Sequence, residues 1–372
     1  MDNTILRTQT VGQSTWIDYI RRSMLTTGEL GELVRQGVTG LTSNPTIFEK
    51  AIAGSTDYDR VLTELMGMGK SPAETFEALA AEDIQGAADI LRSVYDHTAG
   101  ADGLVSLELP PPLADDTQAT IREARRLFGL LRRPNVMIKV PATAAGIAAI
   151  PTLIEEGINV NATLIFSLDA YLNVMDAYLT GLESAVKQGR SPSRIASVAS
   201  FFVSRVDTAV DGLLRTRAAA GEKGLAELTG TAAVANAQMA YALFQETFRG
   251  ERFAKLSAAR ARVQRPLWAS TSTKDPALSD THYVDTLIGP DTVNTMPPNT
   301  LEAVLDHGAS ADSLAGTKRA AESALEALSA AGIDMDEVTA KLLHDGVASF
   351  ASSYDDVLTS IEAKCGELAG RE

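Results

Sequence analysis

Eight short runs rich in β-branched and other apolar residues, at 15–19, 38–43, 104–109, 136–140, 158–166, 195–203, 266–271 and 292–296, alternate with longer segments of helical character. A parallel strand reaches its neighbour only through a crossover of a dozen or more residues, so sustained strand–helix alternation predicts parallel α/β architecture. Eight such units favour a closed (β/α)8 TIM barrel over a doubly wound sheet, which usually has fewer strands and a glycine-rich first turn. No such turn follows the first run here.

Length alone admits one large barrel or two ordinary domains in 372 residues. The strand pattern favours a single barrel domain over 1–372, with its core at about 15–305 and added C-terminal helices at about 306–370, where Ala, Glu, Leu and Ser dominate. The segment 211–262, from Asp211 to Arg262, is longer than one barrel helix requires and is expected to be a helical excursion between strands six and seven. Thr26 and Glu29 have the spacing of a capping box ahead of Leu30, Leu33 and Val34, and Gly37 sits where that helix should end. Ile121, Ala124, Leu127, Phe128 and Leu131 form one helical stripe that Pro134 should stop. Val338, Leu342, Phe350, Tyr354, Val357 and Ile361 give a second apolar face, long enough to lie across a barrel.

The formal net charge of −15 argues against nucleic-acid or anionic-membrane binding, both of which need a positive footprint. Small molecules are the expected partners. One basic cluster, Arg249, Arg252, Lys255, Arg260, Arg262 and Arg265, reads as a solvated helix face or, less economically, as an anion patch. The single cysteine, Cys365, excludes an intrachain disulfide and suits a reducing cytosol. Neither a signal-peptide pattern nor a long apolar span is present, so a soluble cytoplasmic protein is expected.

Within the fourth run, Asn135-Val-Met-Ile-Lys-Val-Pro-Ala-Thr143, a lysine interrupts an apolar strand. Burying an ammonium is costly, and an amine that sheds its proton is a nucleophile toward a ketone or aldehyde. Alternation puts Lys139 opposite Val136, Ile138 and Val140, and Asn159, Asn161 and Thr163 opposite Ile158, Val160, Ala162 and Leu164. The apolar sets should meet the helices, leaving the polar sets inside the barrel. Active sites of parallel barrels lie at the C-terminal strand ends, where this chain also has Asp18, Asn44, Glu108, Ser200 and the stretch Ser270 to Lys274. Taken singly, each has an ordinary reading. Lys139 suits an edge strand with its head in water, Asn44-Pro45 a helix start, Glu108 a solvated strand end, Asp18 a surface cap, and Ser200 and Arg205 packing and ion pairing.

Three of these segments together resemble the transaldolases, particularly the longer bacterial ones. Gly40-Leu-Thr-Ser-Asn-Pro-Thr-Ile-Phe48 is similar to the family's first signature, the Lys139 segment to its Schiff-base strand, and Gly157-Ile-Asn-Val-Asn-Ala-Thr-Leu-Ile-Phe-Ser167 to a third motif. The resemblance implies a class I aldolase barrel whose Lys139 attacks a ketose phosphate, with Asp18 as general acid/base and Glu108 and Thr163 moving protons through a water. It also implies that Asn44 and Asn161 bind hydroxyls of the dihydroxyacetone unit and that Ser200 and Arg205 bind phosphate. At the seventh strand this chain departs from the family's usual arginine, reading Ala269-Ser-Thr-Ser-Thr-Lys-Asp-Pro276, so Lys274 becomes the candidate cation, with Ser270 and Ser272 beside it.

Phe202 stands where relatives that release free dihydroxyacetone from fructose 6-phosphate have tyrosine, and so favours transfer to a second sugar. The implied reaction is transfer of dihydroxyacetone from sedoheptulose 7-phosphate or fructose 6-phosphate to glyceraldehyde 3-phosphate or erythrose 4-phosphate, in the non-oxidative pentose phosphate pathway and without a cofactor. A monomer and a homodimer are equally compatible. By the same resemblance the C-terminal helix would cover the barrel mouth and limit water. The alternatives are a fructose 6-phosphate aldolase and a catalytically silent barrel with a binding role. A metal-dependent aldolase fits less well, because His97, His282, His307 and His344 have no ligand spacing.

Overall fold

The computed structural model describes residues 3–369. Eight parallel strands close into a barrel in sequence order: β1 (Gln13–Asp18), β2 (Val38–Thr42), β3 (Leu104–Glu108), β4 (Val136–Pro141), β5 (Val160–Ile165), β6 (Ser197–Phe202), β7 (Arg265–Ala269) and β8 (Thr292–Met296). All eight expected strands are present, and β1 pairs with β8 to complete the closure. β4 to β6 are covered on both faces, which is why they are almost wholly buried even where they carry Lys139, Asn161, Thr163 and Ser200.

The barrel floor is closed by Trp16. Its indole lies where a side chain on Gly40 of the neighbouring strand would stand, since a Cβ there would come within 2.4 Å of the ring. The indole Nε1 donates to Asp102 Oδ1 at 2.7 Å, and Asp102 also accepts from Ser14 and pairs with Arg265. The basic cluster is therefore not one surface face. Arg265 belongs to this floor, Arg262 donates to the Ser193 carbonyl, and Arg252 pairs with Asp176 and Glu183, while Arg249, Lys255 and Arg260 are exposed.

Helix ends follow local chemistry, with one correction. Thr26 does not cap the helix Glu29–Gln36; it ends a short helix, Arg22–Thr26, and its hydroxyl bonds back to the Arg22 and Ser23 carbonyls, while Gly28 at φ 87° takes the cap position. Thr26 lies within a helix of its own and so lacks the extended backbone that an N-cap residue has. The capping box lies instead at Ser71 and Glu74, opening the helix Pro72–His97. Gly37 ends its helix in the left-handed region as expected, and the 121–131 stripe stops at Arg132 before Pro134.

The excursion after β6 is helical: Ser204–Ala219, Ala232–Arg249 and Glu251–Ala258. Asp207 and Asp211 hold its turn by accepting from the Ala233 and Gly230 amides. After β8 come the helices Pro298–His307 and Lys318–Ala330, then the 35-residue helix Met335–Ala369. This last helix packs along the helix Pro45–Ala53 through Thr46–Ser353, and through Tyr354 edge-on to Phe76. Lys364 ties its far end to the Ile52 and Ser55 carbonyls and to Asp59. Burying Phe350, Val357 and Ile361 contributes on the order of 2 kcal/mol apiece. Among the described residues no helix is long and apolar enough to cross a membrane.

Candidate active site

The C-terminal ends of the strands enclose a cavity of about 140 Å3. Lys139, Asp18, Asn44, Thr163, Ser200, Phe202 and Arg205 all line it, so positions spread over 188 residues of sequence meet in one hollow. A more apolar hollow of about 220 Å3 lies behind Asn44 and Glu108, against Phe48, Phe76 and Tyr354. The convergence of opposed charges distinguishes the barrel mouth.

Lys139 projects inward from β4 and is 4% exposed, so it is not an edge-strand lysine with its head in water. Its Nζ donates to the Ser43 carbonyl at 3.1 Å and to Glu108 Oε2 at 3.2 Å. Burial pushes the Glu108 carboxyl above the usual range, and the neighbouring Lys139 opposes the shift. Asp18, at the end of β1, accepts from the Thr42 hydroxyl at 2.6 Å. Enclosure in the barrel mouth likewise raises its carboxyl, against the pull of Lys139, the Thr42 bond and Arg205. Asp18 keeps some exposure, but it faces the cavity rather than open solvent. Burial in turn lowers the Arg205 guanidinium, which Asp18 and Glu108 partly restore. Lys139, Asp18 and Arg205 share the cavity, while Glu108 lines the neighbouring hollows and reaches it through its bond to Lys139, so two carboxyls and two cationic side chains interact where water screens poorly.

Asn44 fills two roles at once. Its Oδ1 caps the helix Pro45–Ala53 by accepting from the Ile47 amide at 3.0 Å, which leaves Nδ2 as the donor it offers to the cavity. Thr163 Oγ1 is buried and has no hydrogen-bond partner among the described residues, although it lines the cavity. A buried hydroxyl without a protein partner in a polar hollow is a ready anchor for water or substrate.

Asn161 sits deeper. It is fully buried, its Nδ2 donates to Ser106 Oγ at 3.1 Å, and its Oδ1 accepts from Ser200 Oγ at 2.7 Å. The three form a polar layer beneath the cavity, and only Ser200 of them lines it. Phe202 lies under Arg205, whose guanidinium carbon is 5.2 Å from the ring centroid. Lys274 is exposed and outside the cavity lining, with Nζ bonded to Ser272 Oγ at 2.8 Å; Ser270 and Ser272 both line the cavity.

Sequence reasoning did not single out Thr42, Thr295 or Phe350 as site residues, and all of them line the cavity. Thr42 and Thr295 bond each other at 2.7 Å and present hydroxyls beside Asp18; the inward alternation of their strands was the available signal. Phe350 comes from the C-terminal helix and roofs the site, its ring centroid 5.9 Å from Lys139 Nζ. Its place on an apolar stripe was legible, but not that the helix would dock with this residue over the lysine. Among the described residues no group of three or more His, Cys, Asp and Glu side chains is arranged to hold a metal ion.

The arrangement offers a buried amine with carboxyls beside it for proton transfer, hydroxyl and amide donors, and a half-buried guanidinium for an anion. That matches the comparisons. The Transaldolase/Fructose-6-phosphate aldolase family profile matches residues 15–361. The transaldolase of Saccharopolyspora erythraea is 48% identical, over 94% of both chains. That of Thermobifida fusca is 49% identical over 97% of this chain and 98% of its own, and that of Mycolicibacterium smegmatis is 46% identical over 95% of each. With the profile covering nearly the whole barrel and the C-terminal helix, and such relatives aligned almost end to end, the chain belongs to the Transaldolase/Fructose-6-phosphate aldolase family.

Proposed function

We propose that this protein is a transaldolase that moves a dihydroxyacetone unit between sugar phosphates through a Schiff base on Lys139, in the cytosol. The observation that carries the reading is Lys139 itself, a buried amine held at 3.2 Å from Glu108 in a cavity shared with Asp18. Lys139 Nζ adds to the keto carbon of the donor to give a carbinolamine. Loss of water forms the iminium, with Glu108 and a water on Thr163 carrying the protons. Asp18 then takes the C4 hydroxyl proton, the C3–C4 bond breaks into the iminium, and an aldose phosphate leaves. The enamine on Lys139 adds to the carbonyl of the acceptor, Asp18 returns its proton to the new hydroxyl, and hydrolysis of the iminium frees the ketose phosphate and the amine.

Asn44 Nδ2 is the donor for hydroxyls of the dihydroxyacetone unit, and the Ser200 hydroxyl, which lines the same cavity as Arg205, serves the phosphate. Asn161 acts one layer deeper, holding Ser200, because both ends of its amide are engaged by protein. Arg205 on its Phe202 platform is the phosphate cation. Phe202 carries no hydroxyl that could help water discharge the enamine, which favours transfer over release. Incubation with fructose 6-phosphate, borohydride reduction and peptide mapping should find a three-carbon adduct on Lys139. Erythrose 4-phosphate should discharge it and yield sedoheptulose 7-phosphate. A folded protein with no adduct would overturn the reading.

The phosphate assignment has its own test. Arg205→Ala should lower kcat/KM for phosphorylated acceptors roughly 100-fold or more, as expected for losing a charge-assisted anion contact, and affect an unphosphorylated aldehyde much less. Lys274→Ala, at an exposed position outside the cavity, should cost less than about ten-fold. Equal losses with both acceptors would remove Arg205 from the phosphate site.

Phe350→Ala should open the roof above Lys139 and raise release of free dihydroxyacetone in the absence of acceptor, measured by an enzyme-coupled assay. It is a cleaner probe than truncation after Gly332, because the helix it belongs to also buries Val357 and Ile361 against the barrel's helices. Unchanged release would show that the ring does not control water access.

A further inference from the structure

β5 breaks its alternation at Leu164. The backbone there is left-handed, φ 58°, and the pairing with β6 slips between Ala162 and Ile165. A leucine in this region is strained, and such strain persists only where surrounding contacts hold it. Regular alternation would send Leu164 out to the helix layer, opposite Thr163. Instead its side chain turns to a recess at the barrel mouth, beside Val347 and Phe350 of the helix Met335–Ala369. The same helix meets it at Gly346, where an added Cβ would stand 3.0 Å from Leu164 Cδ2. Leu164 is 1% exposed, so the contact is closed to water. Thr163 shares this irregular stretch with Leu164, and its buried hydroxyl faces the cavity with no hydrogen-bond partner among the described residues.

We propose that Leu164 is a positioning residue: seated against Gly346, it locks the β5 bulge and thereby aims the Thr163 hydroxyl at the water used in forming the Lys139 imine. The C-terminal helix then acts on the chemistry through the backbone of β5 as well as roofing the site. The Thr163 carbonyl is tied to the Ala142 amide at 2.7 Å, which fixes the main chain on the β4 side, and the bulge fixes it on the β6 side. Glycine at 346 lets the helix approach this closely: an alanine would press Leu164 Cδ2 by a few tenths of an ångström, and a branched side chain would have to displace it.

The inference rests on the Schiff-base reading, and the two fail differently. The readout is the single-turnover rate of Lys139 adduct formation with fructose 6-phosphate, quenched into borohydride. Gly346→Val should slow it roughly ten- to a hundred-fold, the range for a catalytic group displaced by about 1 Å. In a Thr163→Ala background the same substitution should cause little further loss, because the group it displaces is already gone. KM for the acceptor aldose phosphate should stay put, since Arg205 and Ser200 stand on other elements. Leu164→Ala, which breaks the contact without a clash and keeps a Cβ at the left-handed position, is the second probe and should slow imine formation in the same selective way. Additive losses in the Thr163→Ala background, or parallel changes in acceptor KM, would overturn the proposal and leave the contact as packing alone. Absence of any Lys139 adduct in the unmodified protein would overturn the underlying reading instead.

Discussion

Lys139→Met is expected to abolish dihydroxyacetone transfer, with kcat/KM falling at least about 10,000-fold, as for removal of a covalent nucleophile. Methionine matches the length of the lysine stem and fills the same apolar passage through β4, so a loss of this size reports chemistry rather than collapse. No borohydride-stable adduct should form at any other residue. The substitution also changes the electrostatics. Glu108 and Asp18 both sit above the ordinary carboxyl range through burial, and Lys139 is one of the charges that holds them down. Without it their ionised forms are less favoured, so the folded state binds protons more readily than the unfolded chain. The resulting penalty is full above the raised folded values and vanishes below the unfolded ones. The variant should therefore lose thermal stability relative to the parent at neutral pH and recover it on acidification toward the usual carboxyl range. Residual transfer within ten-fold of the parent would sink the assignment of Lys139 as nucleophile.

Much of this site was legible because barrel geometry converts sequence position into spatial position. Once eight strands are counted, their C-terminal ends must meet, and alternation alone turns Lys139 inward. Alternation failed at Leu164, because a bulge resets the period and nothing local in Ala162-Thr-Leu-Ile165 announces one. The Thr26–Glu29 spacing was a false cap for a related reason. Gly28 between them adopts a left-handed backbone that ends one helix and begins the next, and short-range patterns cannot say which of two adjacent helices a polar residue serves. Lys274 was a charge in the right stretch, but side-chain reach depends on the loop after β7, which carries it into solvent while Ser270 and Ser272 face in. Asn161 was correctly placed inside the barrel, yet its depth depends on Ser106 and Ser200 from two other strands. Phe350 required the docking of a helix that begins 170 residues beyond the end of β5, a tertiary fact with no local signature.

Asp18→Asn should separate the two halves of the reaction. Asparagine keeps the size of the side chain and an oxygen to accept the Thr42 bond, but it cannot take the C4 hydroxyl proton. Turnover should fall by roughly 100- to 10,000-fold, the span for loss of a general base. Lys139 remains able to form its imine, so borohydride should trap the intact six-carbon ketose phosphate on the lysine in place of the three-carbon unit. That mass difference distinguishes a missing base from a missing nucleophile. The same substitution should raise Tm at neutral pH. Enclosure lifts the Asp18 carboxyl above its unfolded value, so its ionised form opposes folding; the cost is absent below the unfolded value, grows with pH, and is complete above the folded one. Removing the charge removes that cost, and the stability gain should shrink as the pH is lowered toward 4, near the ordinary value of an aspartate. The carboxylate would then be retained for catalysis at the expense of stability, a trade common in active sites. A lower Tm for the asparagine variant at neutral pH would mean that the pull of Lys139 and Arg205 exceeds the cost of enclosure, and trapping of the three-carbon adduct at the parent rate would take the proton transfer away from Asp18.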